Sequence, residues 1–147
     1  MYECVLFLGM EMAYQDTLEK MFSETQVKEV MTKALVSVGP MTNLYQISKM
    51  MEQGGMGSIL VKRDGTPSGI ITDRDFAIKV AAKGIPLETP VEKIATFPLI
   101  TISSTNSLLD AAKLMTEKKI RKLAVREDDK IIGIITTTDL VKKLANE

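Results

Sequence analysis

The chain contains an internal duplication with a fixed spacing, and this repeat constrains its fold more than any other feature. Residues 69–76 read Gly-Ile-Ile-Thr-Asp-Arg-Asp-Phe, and 64 positions later residues 133–140 read Gly-Ile-Ile-Thr-Thr-Thr-Asp-Leu. The same spacing relates Val27 to Val91, Thr32 to Thr96, Leu44 to Leu108, Met51 to Met115 and Val61 to Val125. A gapless duplication indicates one supersecondary unit built twice. A site made from the repeated segment should therefore occur twice, or once where the copies diverge.

Each copy predicts the same order of elements, β-α-β-β-α. In the first copy, apolar runs and turn signals predict strands at 35–38, 58–61 and 69–72, with helices at about 43–53 and 73–83. In the second copy, they predict strands at 99–102, 122–126 and 131–135, with helices at about 107–118 and 138–145. Thr42 is the predicted N-cap in the first copy, and Asn106 or Ser107 in the second. The fold class is therefore α/β (α+β), with two tandem repeats packed as a pseudo-two-fold pair.

The predicted organisation has three parts: an extension over 1–26, a first repeat over 27–84 and a second over 85–147. Within the extension, apolar positions recur at helical spacing and predict an amphipathic helix from about 10 to 23. We expect this helix to pack on its own domain or on a dimer partner. Its polar face is acidic, which argues against a membrane-surface helix.

Composition excludes several kinds of site. The chain has 147 residues, no histidine, one cysteine (Cys4), and equal numbers of basic and acidic side chains, 19 of each. A His/Cys zinc site, a His-based triad and a disulfide within one chain are therefore impossible. The neutral net charge argues against a nucleic-acid protein that depends on a general basic field. No membrane span or signal peptide is predicted, and we expect a cytoplasmic protein.

The repeated Thr-x-x-Asp has two readings. Thr72 and Thr136 lie where a predicted strand ends and a helix begins, and Asp75 and Asp139 follow in the first helical turn. In the structural reading, Thr is the N-cap and Asp completes a variant of the capping box. In the functional reading, Asp accepts the hydroxyls of a ribose, as acidic residues do in dinucleotide sites, and the helix N-terminus faces a phosphate. Spacing alone leaves both open.

The order and spacing of these segments resemble the cystathionine β-synthase (CBS) domain family. The matching text includes Val-Lys-Glu-Val-Met-Thr at 27–32, Ile-Leu-Val at 59–61 and the repeated segment at 69–75. In the second copy it includes Val-Glu-Lys-Ile at 91–94, Ile-Arg-Lys-Leu-Ala-Val at 120–125 and residues 133–140. The resemblance covers about residues 27–146 and is that of a stand-alone CBS pair, or Bateman module.

The resemblance implies binding of AMP, ADP or ATP, or of S-adenosylmethionine, in clefts between the repeats, with no required cofactor. It implies that Thr and Asp of one repeat hold the ribose while the entrance strand of the other supports the base. One site would then use Thr72 and Asp75 with Phe97, Pro98, Leu99 and Ile120. The other would use Thr136 and Asp139 with Thr32, Lys33, Leu35 and Met56.

The two copies differ where the resemblance places phosphate. The second has Arg121 and Lys122 before its hairpin strand, and the first has Gly57 and Ser58 there. Both basic side chains can meet a phosphate, so the Thr136/Asp139 site is expected to be the tighter one. Arg74 is a further phosphate candidate, at the Thr72/Asp75 site. The alternative reading of Arg121 and Lys122 is a solvated positive turn.

No catalytic set is recognisable, so we predict a non-catalytic regulatory module with an energy-sensing role. The resemblance implies a disc-like homodimer and output through a separate, unknown effector protein. A ligand-free protein–protein interaction module of the same fold is the main alternative. A nucleic-acid binder is a lesser one, because its basic patch lacks interleaved aromatics. That patch is formed by Lys118, Lys119, Arg121 and Lys122.

Overall fold

The computed structural model describes residues 16–146 and divides the chain into two compact units. One unit comprises Ala34–Ile100, and the other comprises the described residues up to Lys33 together with those from Thr101 onward. Each entrance segment therefore belongs to the unit that holds the other repeat's sheet. The predicted repeats at 27–84 and 85–147 divide the chain by sequence duplication, whereas the two units divide it by compactness. The two divisions use different boundaries, so the predicted repeat boundaries stay a prediction.

The described elements alternate as the sequence predicts. In chain order they are α1 (16–24), a 3₁₀ turn (Val27–Glu29), β1 (Ser37–Val38), α2 (Leu44–Gly54), β2 (Ser58–Arg63), β3 (Thr66–Thr72), α3 (α geometry over Asp73–Asp75, π geometry over Phe76–Ala81), a second 3₁₀ turn (Val91–Lys93), β4 (Thr101–Ser103), α4 (Leu108–Lys118), β5 (Lys122–Glu127), β6 (Lys130–Thr136) and α5 (Thr137–Ala145).

The Ala34–Ile100 unit is built on a three-stranded sheet of order β1-β2-β3. β1 pairs parallel to β2, and β2 pairs antiparallel to β3. Thr96, which follows the second 3₁₀ turn, forms an antiparallel bridge to Ile70 of β3. The helices bury one apolar face against this sheet, and burial of that face stabilises the unit. The buried core comprises Leu44, Ile47, Ile59, Val61, Ile71, Val80 and Val91.

The second unit repeats this plan with β4-β5-β6. β4 pairs parallel to β5, β5 pairs antiparallel to β6, and Thr32 forms the bridge to Ile134 at the outer side of β6. In both hairpins the register shifts at the same place, after Val61 in β2 and after Val125 in β5. The fully buried side chains include Val27, Leu108, Ala111, Leu123, Val125 and Ile135. The predicted α+β fold class, with two tandem repeats that each contain a three-stranded mixed sheet and helices, is confirmed.

Several local predictions need correction. Asn43, and not Thr42, is the N-cap of α2, because its side chain accepts the Gln46 N–H at 2.9 Å while Gln46 Oε1 accepts the Asn43 N–H. Of the two N-caps predicted for α4, Asn106 or Ser107, the structure has Ser107. β1 covers Ser37–Val38 where 35–38 was predicted, and β4 covers Thr101–Ser103 where 99–102 was predicted. α3 ends at Ala81 and not at 83. The predicted helix at 10–23 is helical from 16 to 24, and its residues 10–15 lie outside the described part.

Among residues 16–146, no helix is both long enough and apolar enough to cross a membrane.

Candidate functional site

Thr136 and Asp139 form a reciprocal hydrogen-bonded pair at the junction of β6 and α5. Asp139 Oδ2 accepts both the Thr136 N–H at 2.9 Å and the Thr136 hydroxyl at 3.1 Å. In return, the Asp139 N–H donates to Thr136 Oγ1 at 3.2 Å. This arrangement is the capping box that the structural reading predicts.

Thr72 and Asp75 repeat this geometry at the junction of β3 and α3. Asp75 Oδ2 accepts the Thr72 N–H at 2.8 Å and the hydroxyl at 3.2 Å, and the Asp75 N–H lies 3.4 Å from Thr72 Oγ1. An ionised carboxylate has about four lone-pair sites, so the cap does not exhaust its capacity to accept hydrogen bonds. The structural and functional readings of Thr-x-x-Asp are therefore compatible.

The apolar residues of the repeated segment fix where each pair lies. Ile71 and Ile135 are fully buried, which anchors the end of β3 and of β6 in the core of each unit. Gly69 lies against the Phe97 ring, and a Cβ added there would be 2.5 Å from ring atom Cε1. Gly133 lies against Met31 and the Thr32 carbonyl, which an added Cβ would meet at 2.6 and 2.9 Å. Only glycine admits these close approaches.

The structure divides the predicted site residues between the units. The Ala34–Ile100 unit contains Leu35, Met56, Thr72, Arg74, Asp75, Phe97, Pro98 and Leu99. The other unit contains Thr32, Lys33, Ile120, Arg121, Lys122, Thr136 and Asp139. Within the first unit, Thr72 and Phe97 are brought to neighbouring segments, because the Thr96 N–H donates to Ile70 O at 2.9 Å and the Leu99 N–H to Ser68 O at 2.9 Å. Within the second, Thr32 is tied to Ile134 in the same way.

Ile120 lies in a different unit from Thr72, with which the prediction grouped it, and Leu35 and Met56 lie in a different unit from Thr136. The ligand roles of all these residues stay predictions.

Arg121 and Lys122 lie beside the Thr136/Asp139 pair within one unit. Lys122 is the cross-strand partner of Thr136, and the Arg121 carbonyl accepts the Thr137 N–H at 3.0 Å. The Arg121 side chain is exposed. In the other unit, Gly57 O accepts the Asp73 N–H at the matching place, also at 3.0 Å. Arg74 is exposed in the first turn of α3.

Sequence reasoning missed Lys79, which contacts the Thr72/Asp75 pair. Its Nζ lies 3.4 Å from Asp75 Oδ1, and it also donates to Thr96 Oγ1 at 3.0 Å and to Ile94 O at 3.3 Å. The spacing of four residues from Asp75 to Lys79 on one helix was the signal that could have found the ion pair. The contacts with the 94–96 segment depend on the tertiary fold.

Arg63 is a second residue that the sequence reasoning missed. Its guanidinium lies 3.6 Å from the centroid of the Phe97 ring, a cation–π contact. One face of the ring predicted to support a base is therefore covered by this guanidinium. Across residues 16–146, no group of three or more acidic or cysteine side chains is arranged to hold a metal ion.

The CBS domain family model matches two segments of the chain, residues 27–82 and 91–146. The chain belongs to the CBS domain family. As a CBS pair, it has the architecture of a regulatory module.

A CBS domain-containing protein and a crystal structure resemble this chain over most of its length. The CBS domain-containing protein YhcV of Bacillus subtilis is 32% identical over 124 residues, covering 84% of this chain and 89% of that protein. The crystal structure of an uncharacterised conserved protein from Pyrococcus horikoshii is 33% identical with a TM-score of 0.79, covering 83% of this chain and 93% of that one.

A second similar structure is the CBS domain pair of protein MJ0100, solved in complex with 5′-methylthioadenosine and S-adenosyl-L-methionine. It is 22% identical with a TM-score of 0.74, covering 83% of this chain and 97% of that one. At this identity the likeness concerns the fold of the CBS pair.

Proposed function

We propose that this CBS pair binds an adenosine-containing ligand at its Thr-x-x-Asp sites and signals the binding to a partner protein. AMP, ADP and ATP are the first candidates, and S-adenosylmethionine is the other. The observation that carries the proposal is the duplicated pair in which Asp75 and Asp139 each sit half-buried at the end of a hairpin with acceptor capacity beyond the cap. Because a CBS pair of the same fold was solved with two adenosine compounds, such compounds are the natural first probes.

The chemistry of a ribose suits these carboxylates. A ribose presents two neighbouring hydroxyl donors, and an ionised carboxylate presents acceptors only, so the two match without a proton transfer. Thr72 and Thr136 each hold a carboxylate in one orientation by donating two hydrogen bonds to it, one from the backbone N–H and one from the hydroxyl. A preorganised acceptor loses less conformational entropy on binding.

The Thr136/Asp139 site is the stronger candidate for a phosphorylated ligand. Arg121 is exposed beside it, and Lys122 is the cross-strand partner of Thr136. Charge-assisted hydrogen bonds from such groups to phosphate are about twice as strong as neutral ones. The matched positions at the other site, Gly57 and Ser58, bring no charge.

Signalling follows from differential affinity. A ligand that binds one conformation of the module better than another shifts the population toward it, and only that difference carries information. Our proposal is that two copies form a homodimer, that the module itself is non-catalytic, and that a separate effector protein in the cytoplasm reads the shift.

The test is a thermal-shift titration of the whole chain with AMP, ADP, ATP and S-adenosylmethionine. A ligand specific for the folded state raises Tm as its concentration rises. We expect the shift to shrink in Asp139→Ala and to persist in Asp110→Ala. The control removes the same kind of capping box, because Asp110 pairs with Ser107 at α4 as Asp139 pairs with Thr136. No shift with any of the four compounds, or an equal loss in both variants, would overturn the proposal.

A ligand-free interaction module is the second candidate, and exposed apolar side chains of the Ala34–Ile100 unit favour it. Met41, Tyr45 and Leu87 are 68, 53 and 42% exposed, and the Tyr45 N–H donates to Leu87 O at 3.1 Å. Adjacent exposed apolar side chains are typical of protein-binding surfaces. In that case Asp75→Ala and Asp139→Ala would leave partner binding unchanged, whereas Tyr45→Ser would weaken it.

A further inference from the structure

Lys79 joins three groups of the Ala34–Ile100 unit at one point. Its ammonium contacts the Asp75 carboxylate, the Thr96 hydroxyl and the Ile94 carbonyl, all within 3.4 Å. The Asp75 side chain is 15% exposed and the Lys79 side chain 37%. The ion pair is thus screened less than a pair on an open surface, although solvent still reaches the ammonium.

The ammonium occupies the side of Asp75 that the cap leaves to a ligand. Asp75 Oδ2 is committed to Thr72, whereas Oδ1 faces Lys79 Nζ at 3.4 Å. A ribose hydroxyl bound to Oδ1 would lie roughly 2.7 Å from that oxygen, and so within about 6 Å of Nζ. A charged substituent on the same ribose would act on the ammonium through space, most strongly in poses that turn the substituent toward Nζ.

The sign of this interaction depends on the charge of the ligand. Asp75 alone would make the site negative, which favours a cation and repels a phosphate. Lys79 cancels that charge. We infer that Lys79 is a specificity-determining residue, which makes the Thr72/Asp75 site prefer anionic adenosine ligands over the sulfonium cation of S-adenosylmethionine. This inference rests on the proposed function, because it presupposes that Asp75 holds a ribose.

The test compares affinities for AMP, uncharged adenosine and S-adenosylmethionine by isothermal titration calorimetry. Asp139→Ala serves as the background, so that the Thr72/Asp75 site dominates. In Lys79→Gln we expect the ratio of the Kd for AMP to the Kd for adenosine to rise about three- to tenfold. Binding of S-adenosylmethionine should tighten relative to adenosine. In Lys79→Arg, which keeps the charge, the ratio of the Kd for AMP to the Kd for adenosine should return to its value in the Asp139→Ala background.

Lys49→Gln is the matched control, since Lys49 is also a helical lysine of this unit and pairs with Glu52 at 3.0 Å. In Lys49→Gln the ratio of the Kd for AMP to the Kd for adenosine should not change. If Lys79→Gln weakens AMP and adenosine equally, the lysine only positions the segment at 94–96 and the inference is wrong. If the background binds no compound while the wild-type chain does, the Thr72/Asp75 site takes no ligand; the inference fails and the proposed function stands. If the wild-type chain binds none, both fail.

Discussion

The backbone N–H and the hydroxyl of Thr136 donate to the same carboxylate oxygen of Asp139, at 2.9 and 3.1 Å. The Asp139 N–H donates back to that hydroxyl at 3.2 Å, which closes the capping box of α5. One threonine therefore stabilises the start of a helix and orients the carboxylate proposed to bind a ribose. Substitutions must be designed to separate these two contributions.

Loss of the Thr136 hydroxyl should destabilise the fold by about 0.5–2 kcal/mol, the usual contribution of an N-cap side chain. Thr136→Val removes the hydroxyl while keeping the shape of the side chain, and Thr136→Ser keeps the hydroxyl. We expect Val to lower the free energy of unfolding and Ser to retain most of it, as measured by urea denaturation. Thr138→Val is the control, because Thr138 is exposed on the same helix. Its substitution should change the free energy of unfolding by no more than about 0.5 kcal/mol. Equal effects at both positions would contradict the cap.

Asp110 gives a prediction for the dependence of stability on pH. Hydrogen bonds from the Asn106 side chain and from the Ser107 backbone hold the pKa of Asp110 below its ordinary value of 3.8. Since the folded-state pKa is depressed, the stabilisation is complete above the ordinary value and is lost as pH falls through the lower, folded-state value. Wild-type chain should exceed Asp110→Asn in stability near neutral pH. The difference should vanish in acid, as followed by urea denaturation between pH 7 and 2.5. A difference that is constant over this range would refute the assignment.

Added methyl groups at the two hairpin glycines should be poorly tolerated. In Gly69→Ala the Cβ meets the Phe97 ring, and in Gly133→Ala it meets the Met31 side chain and the Thr32 carbonyl, which accepts the Ile134 N–H. Overpacking of this kind costs about 1–3 kcal/mol. We expect Gly133→Ala to be the worse variant, because a hydrogen-bonded backbone carbonyl cannot move aside alone. Gly39→Ala is the control, since nothing lies within 4 Å of its added Cβ. Unfolding curves that do not separate the three variants would show that the strands yield to the methyl group.

Lys119 ends α4 in the left-handed region, with φ of 57°, where the matched residue of the first repeat is Gly55 with φ of 64°. Lys119→Gly should raise the free energy of unfolding by about 0.5–1 kcal/mol, because relief of the strained backbone exceeds the entropy that glycine adds to the unfolded chain. Lys118→Gly, one residue earlier and still helical, should lower it by a similar amount. Changes in Tm of opposite sign in the two variants, measured by calorimetry, would support this account. A lower Tm in both variants would refute it.

The elements predicted best are those specified by neighbouring residues. Both Thr-x-x-Asp boxes and both hairpins depend on groups a few positions apart, so the repeat reveals them directly. The N-cap of α2 was misplaced by one residue because Thr42 and Asn43 are both favoured caps, and only Asn43 has a reciprocal partner, Gln46, three residues on. The π geometry of Phe76–Ala81 had no recognisable signal, since α5 runs as an ordinary α-helix from the matching position.

The sequence by itself determined that one β-α-β-β-α unit occurs twice, with a Thr–Asp pair at the end of each hairpin, because periodicity, turn residues and caps act over short distances. Only the tertiary structure decided that Thr96 pairs with Ile70 and Thr32 with Ile134, so that each entrance segment joins the sheet of the other repeat. The same long-range pairing brings Thr96 to Lys79 and Phe97 to Arg63. Contacts between residues distant in the chain follow from burial of the whole apolar surface, for which no local pattern is specific.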